Sequence, residues 1–239
     1  ITPVYKKGHP LDTGNYRPIA VTEPLMRLYA SILNKRIVDF TEDKNLRAAS
    51  QAGFRPGLSC THHIFALQHM IDHAHLEKQP LYVCFLDLKG VYDYVPRPLL
   101  WEVLQRLGIH GEMLGAIQSL YSDCTVTMTV GGRCGPRLPS RVGVKQGCPL
   151  SPTLFGLFMD GLHRHLHSVC PDGGHVMRNG ERVIDLEYAD DVLLVSDSPQ
   201  GLQIVLDGMG QWSDSVRMTV SGPKTKVVVF GKLVSAAQP

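Results

Sequence analysis

Apolar positions recur along this chain at two periods. Near residue 24 the spacing becomes helical: Leu25, Leu28, Ile32 and Leu33 fall three to four apart and predict a helix over roughly 24–40 with those residues inward. Thr22 is placed to cap it, and Glu23 and Pro24 suit its first turn. Ile64, Leu67, Met70, Ile71 and Ala74 predict a second helix over about 62–76, capped from Ser59–Thr61. Further helices are predicted over 97–107, ended by Gly108, and over 111–121, 152–167 and 199–213. In the third of these four, Leu154, Phe155, Leu157, Phe158 and Leu162 form the buried side.

Elsewhere the period shortens and β-branched residues gather. Strands are predicted at 1–5, 15–21, 81–88, 126–130, 183–187, 192–195, 216–220 and 227–230. A return strand is expected near 141–144, beyond the Gly131-Gly132 turn. Leu81–Leu88 is apolar on both faces and so belongs at the centre of a sheet. Ser235 to Pro239 read as a frayed end. Strands mixed with helices in this order predict an α+β fold, an antiparallel sheet covered by helices on one face.

The chemistry that stands out is acidic. Tyr188-Ala189-Asp190-Asp191 lies between two strand-like runs and reads as a tight hairpin turn. Two carboxylates about 4 Å apart at an effective dielectric near 20 repel by roughly 4 kcal/mol. A solvated turn tolerates that repulsion, and so does a divalent cation held by hard oxygen ligands. A third carboxylate, Asp87, ends the central strand, where packing gives no reason for one. If the strands are neighbours, the three acids converge at one end of one sheet, with the Leu88 carbonyl as a further ligand. Two divalent ions about 3.5–4 Å apart are the arrangement that clamps the attacking and leaving oxygens of a phosphoryl displacement.

Other residues fit a nucleotide beside such a site. Arg17, Arg27 and Arg55 are cations suited to phosphate, Tyr92 to stacking under a sugar, and Gln146-Gly147 to the base or template side. His69 and His73 have i,i+4 spacing, but no third ligand lies near them in sequence, and a polar helix face is the better reading.

Bulk properties narrow the class only a little. The 239 residues suffice for one large or two small compact units, and a net charge of +2 predicts no polyanionic partner by itself. The 6 cysteines lack metal-type spacing, and several lie in apolar segments, which favours a reduced intracellular protein over a disulfide framework. No apolar run approaches membrane-spanning length, and no signal peptide is visible. The chain begins at Ile1 rather than Met, as a piece of a longer product would.

Six stretches then occur in an order that resembles the reverse transcriptase domain of the non-LTR (LINE-type) retrotransposon family. They are Asn15-Tyr16-Arg17-Pro18-Ile19, Gly53-Phe54-Arg55-Pro56-Gly57, Phe85-Leu86-Asp87-Leu88-Lys89, Gly147-Cys148-Pro149-Leu150-Ser151-Pro152, Tyr188-Ala189-Asp190-Asp191 and Pro223-Lys224-Thr225-Lys226. The resemblance implies an RNA-directed DNA polymerase with a right-hand fold: a fingers-like region over 1–80, and a palm-like region over 81–239 with a fingers contribution near 125–150. It implies Asp87, Asp190 and Asp191 as ligands of two Mg²⁺ ions, with Mn²⁺ as the alternative. Tyr92 would be the gate against a ribose 2′-OH, and Arg17, Arg27 and Arg55 fingers cations. Lys224 or Lys226 would serve the pyrophosphate leaving group, and Tyr188 and Pro149 would meet template or primer. The implied partners are an RNA template, a DNA primer and dNTPs, without a membrane; the implied location is the nucleus if the element is eukaryotic.

The resemblance also has gaps. Val91 stands where the family usually has Ala, Gly90 where a long polar residue is usual, and Leu58 where a second Arg is common. The thumb is expected to be absent, with nuclease domains elsewhere in the parent. The truncated length, Gly90 and Val91 motivate the alternative of a catalytically decayed or domesticated copy that binds RNA. An RNA-directed RNA polymerase would want a polar residue in place of Tyr92 and ranks below both; a group II intron-type enzyme is a nearer relative.

Overall fold

The structure is a computed structural model that describes residues 1–231; the expected frayed end at Ser235–Pro239 lies outside the described residues. In chain order the elements are β1 (Thr2–Tyr5), β2 (Tyr16–Ile19), α1 (Pro24–Asp43), α2 (Cys60–Leu76), β3 (Leu81–Asp87), α3 (Val91–Tyr94), α4 (Arg97–Arg106), α5 (Gly111–Ser119), β4 (Thr125–Val130), β5 (Arg133–Pro139), α6 (Ser151–Val169), β6 (His175–Val176), β7 (Arg182–Val183), β8 (Asp185–Tyr188), β9 (Asp191–Ser196), α7 (Pro199–Ser215) and β10 (Lys226–Phe230). The chain divides into two compact units that interleave in sequence: Ile1–Leu46 with Gly90–Phe158, and Arg47–Lys89 with Met159 onward.

The first unit holds two hairpins, β1–β2 and β4–β5. Gly131 and Gly132 both take positive φ (56° and 75°), as a two-residue I′ turn demands, so the return strand begins at Arg133, directly opposite Val130. That moves it from the expected 141–144, where Arg141–Val144 instead wraps a buried guanidinium. Arg97 Nε donates to the Gly143 carbonyl at 2.9 Å, and its Nη atoms donate to the Ser140 and Val142 carbonyls and the Ser140 hydroxyl. Helix α1 forms where periodicity placed it but turns a different side inward. Ala30, Leu33, Ile37 and Thr41 are buried, whereas Leu25, Leu28 and Ile32 are exposed. Thr22 does not cap it; Glu23 holds that position without a side-chain bond.

The second unit is built on a four-stranded antiparallel sheet, order β10-β3-β9-β8, with β3 inside it as its apolar run required. Alternation assigns each residue a face. Cys84, Leu86, Val192 and Leu194 share one face with Asp185 and Glu187, and all six are buried. Helix α7 packs there: a Cβ added at Gly201 would lie 2.3 Å from the Ser196 hydroxyl, and one at Gly208 would meet Leu166 and Val169 of α6. On the other face, Leu81, Val83 and Val195 pack against Met70 and Ala74 of α2, so helices also cover part of this side. Of the inward set expected for α2, Met70 and Ala74 are buried and Ile64 is exposed. Its cap is as expected, with the Ser59 N–H donating to His62 Nδ1. The strand expected at 216–220 does not form. Arg217 is left-handed (φ 57°), the Met218 N–H bonds back to the Ser213 carbonyl, and only Val220 makes a bridge, to Leu88.

Candidate active site

The β3–β9 register sets Asp87 directly across from Asp191. A directly opposed antiparallel pair stands about 4.5–5.5 Å apart at Cα, with both side chains on one face. Tyr188 pairs with Asp191, so Ala189 and Asp190 are the two residues of the turn. Ala189 has φ 59° and Asp190 does not have positive φ, the pattern of a II′ turn whose first position favours glycine. Here the left-handed alanine is held from outside. Buried Gln51 accepts from the Ala189 N–H at 2.9 Å and from the Gly53 N–H at 2.8 Å, and its amide donates to Glu187 Oε2 at 3.1 Å and the Ala189 carbonyl at 3.3 Å. Two backbone bonds, Ala52 N–H to the Glu187 carbonyl and Glu187 N–H to the Ser50 carbonyl, lay the 50–53 segment along β8. Gly53 must be glycine, because a Cβ would sit 2.2 Å from the Ala189 nitrogen.

Asp190 and Asp191 are exposed and Asp87 half-buried. Partial burial, then Asp190, then Asp87 push the Asp191 carboxyl above its ordinary range. The compensating charge is Lys224, whose Nζ lies 2.7 Å from Asp87 Oδ2. Lys224 ends a 3-10 turn, Gly222–Lys224, held by the Lys224 and Thr225 N–H groups on the Ser221 carbonyl. Lys226 opens β10 opposite Phe85. Leu88 is buried beside Val220. Three carboxylates thus gather at one end of the sheet, near enough for Asp190 and Asp87 to raise Asp191, and hard oxygens are the donor type that a divalent cation such as Mg²⁺ prefers.

Among the other residues read as site candidates, Arg55 spends Nη1 on the Ala48 and Gln51 carbonyls, at 2.9 and 3.2 Å, and so braces the segment that carries Gln51. Tyr188 is exposed on β8. Arg17, Arg27, Tyr92, Gln146, Gly147 and Pro149 belong to the first unit. There Arg17 is exposed on β2 and Arg27 exposed on α1. Tyr92 stacks on Phe155 with centroids 4.6 Å apart. Gln146 donates to both oxygens of Asp93, at 2.9 and 3.0 Å, and its carbonyl accepts from Ala20. Gly147, at φ 101°, lies where a Cβ would be 2.9 Å from the Ala20 carbonyl, and Pro149 is half-buried. Gly90 is left-handed at φ 56°, and Val91 is buried, so its extra bulk faces the interior.

Two groups escaped the sequence reading. Gln51 carried no signal of its own; it lies two residues before the matched stretch that begins at Gly53. Behind the hairpin lies a buried polar cluster. Arg47 Nε meets Asp160 Oδ2 at 2.7 Å, and His163 Nδ1 lies 3.0 Å from both oxygens of Asp185. Complete burial, then Asp185 and Asp160, push the Glu187 carboxyl well above its ordinary value. The i,i+4 pair noticed in the sequence, His69 and His73, takes other partners: His69 stacks on Phe65, and His73 Nδ1 meets His175 Nε2 at 3.1 Å.

Residues 4–236 match the family described as reverse transcriptase (RNA-dependent DNA polymerase). A polyprotein of Nasonia vitripennis, "Retrovirus-related Pol polyprotein from type-1 retrotransposable element R2", is 28% identical over 201 residues, covering 84% of this chain and 19% of its own length. One of the same name from Popillia japonica is 33% identical over 198 residues, covering 82% and 27%. The chain thus spans about a fifth to a quarter of these relatives. Telomerase from Candida tropicalis, in complex with a fragment of telomeric RNA, superposes with a TM-score of 0.64 at 13% identity, over 84% of this chain and 34% of that one, a likeness of fold. Among the described residues no helix is long and apolar enough to cross a membrane.

Proposed function

This chain belongs to the reverse transcriptase (RNA-dependent DNA polymerase) family, and from that premise we propose that it is the polymerase core of a longer LINE-type retroelement polyprotein. It adds deoxynucleotides to a primer 3′-OH on an RNA template. The observation that carries this reading is the register that puts Asp87 across from Asp191, with Asp190 at the tip of the turn between their strands.

Asp87, Asp190 and Asp191, with the Leu88 carbonyl, would hold two Mg²⁺ ions, Mn²⁺ being the alternative. When bound, the ions supply positive charge to the reacting phosphate and its attacking and leaving oxygens. Lys224, already at Asp87, gives a proton to the departing pyrophosphate, with Lys226 as the second candidate. Gln51 keeps Asp190 at a fixed height by tying down both backbone groups of Ala189. Tyr92, its ring backed by Phe155, is the gate against a ribose 2′-OH. Arg17 and Arg27 take phosphate charge, Gln146 and Gly147 line the base side, and Tyr188 and Pro149 meet template or primer. Arg55 acts one step removed, through the backbone it braces. In these terms residues 1–80 are fingers-like and the remainder palm-like, with 125–150 contributing to the fingers. A eukaryotic element of this kind works in the nucleus.

The test is primer extension on an RNA template by the full-length parent with Mg²⁺ and dNTPs. The expected result is template-directed DNA synthesis that Asp190→Asn abolishes. RNA binding that falls steeply with salt, without any Mg²⁺-dependent incorporation, is the result that would replace this reading with a domesticated RNA-binding module.

A further inference from the structure

We propose that His163, His167 and Asp185 form a second cation site, separate from the hairpin acids and suited to a borderline transition-metal ion of the Zn²⁺ class. His163 and His167 stand one turn apart on α6 with ring centroids 4.2 Å apart, and Asp185 opens β8. One ligand atom from each lies within 4.8 Å of the others. All three belong to the same compact unit.

The distances favour an ion over a simple hydrogen bond. A tetrahedral ion with bonds of about 2.0–2.1 Å separates neighbouring ligand atoms by roughly 3.3–3.4 Å. His163 Nδ1 is 3.0 Å from Asp185 and His167 Nε2 is 3.7 Å from Oδ1, values that bracket that edge. A histidine–aspartate hydrogen bond accounts for His163 alone. It leaves His167 aimed at the same carboxylate from beyond hydrogen-bond reach. Two imidazole nitrogens and one carboxylate form a three-ligand set that suits Zn²⁺ and its neighbours, whereas Mg²⁺ prefers oxygen alone.

Charge points the same way. Asp160, Asp185 and Glu187 are all buried, and Arg47 is the buried arginine that pairs among them, with Asp160. Asp185 already has His163 beside it, and a dication held between the two histidines would add positive charge to that contact and bring in His167 as well. The Asp185 side chain is fully buried, while those of His163 and His167 are 23% and 39% exposed, so the fourth position opens toward solvent. Such an ion would staple α6 to β8, the strand that runs directly into Tyr188 and the hairpin.

The probe is Co²⁺ added to the purified full-length protein, read by visible absorption. Tetrahedral nitrogen-containing coordination gives intense d–d bands, and oxygen-only octahedral binding at the hairpin acids gives weak ones. Saturable intense bands, displaced by Zn²⁺, are expected. His163→Gln and His167→Gln should each weaken Co²⁺ binding at least tenfold, while Asp190→Asn leaves the bands unchanged. Zn²⁺ at about 100 times its dissociation constant should raise the wild-type Tm by about 5–10 °C and leave His167→Gln unmoved. His167 is partly exposed, so that variant keeps the fold, which its metal-free Tm verifies. Absent intense bands, bands that survive both histidine changes, bands lost in Asp190→Asn, or an equal Tm rise in wild type and His167→Gln would each overturn the site.

Discussion

Two sets of carboxylates lie a few residues apart in this chain and are treated in opposite ways. Glu187 and Asp191 are separated by the hairpin turn, yet Glu187 is fully buried and Asp191 is exposed. The pleat makes the difference. Glu187 pairs with Val192 and shares its face, whereas Asp191 pairs with Tyr188 and Asp87 on the other. The buried set has compensation: Arg47 for Asp160, His163 for Asp185, and a retained proton for Glu187. The outer set has Lys224 against three acids. The acids around Arg47 and His163 are neutralised largely from within, whereas the excess of acids at the accessible edge is the donor set that the proposed Mg²⁺ ions would use.

The sharpest way to break this contrast is at the turn. Asp190→Asn should lower the single-turnover rate of primer extension by about three or more powers of ten, each worth about 1.4 kcal/mol of barrier. Its stability should be unchanged or slightly raised, because a repulsion with Asp191 is removed. Extension at the wild-type rate would erase the distinction between the two sets. Lys224→Ala comes next. Extension should fall by about 10²-fold if Lys224 is the proton donor, yet stability should move by no more than about 0.5 kcal/mol, since the lysine is 69% exposed. Lys226→Ala should cost less rate; the reverse ranking would reassign the role.

Gln51 joins the two sets, bonding to Glu187 on one side and to the turn on the other. Gln51→Leu should destabilise by about 3 kcal/mol in urea unfolding, because it strands several buried backbone and carboxyl groups at once. The smallest effect belongs to Glu187. Its carboxyl lies well above the ordinary 4.5 through burial, then Asp185 and Asp160. The folded chain therefore keeps a proton that the unfolded chain releases. That contribution is present below 4.5 and is lost as pH rises toward the folded value. Glu187→Gln is neutral at every pH. It should melt near wild type at about pH 4.5 and a few degrees above it at about pH 8, roughly 1 kcal/mol. A gap that widens toward acid instead would mean that Glu187 is ionised in the fold.

Much of this molecule was legible before folding, because much of it is local. Pro and Gly mark where helices begin and turns close, and the helix predicted at 152–167 appears at Ser151–Val169 with all five expected residues buried. The Gly131-Gly132 turn was evident, but a two-residue turn requires the strand to return at once, and the expected return strand was placed eight residues too late. In α1 an apolar stripe was visible, yet a chain carries no label for the side its neighbours will cover, and Leu25, Leu28 and Ile32 ended outside.

The order of residues was enough to reveal the chemistry on offer: an acid at the end of an apolar strand, two more on a tight turn, a turn bearing two lysines, and the family these belong to. What each acid became depended on how distant segments pack. Asp87 and Asp191 are 104 positions apart, and their pairing comes from the register by which β3 and β9 bury alternate residues against helices. A shift by one would have put Glu187's partners on the accessible face and Asp191's within. His163, His167 and Asp185 likewise meet only because α6 lies over β8. Local sequence sets periods and turns; which periods face each other is settled by burial between segments far apart in the chain.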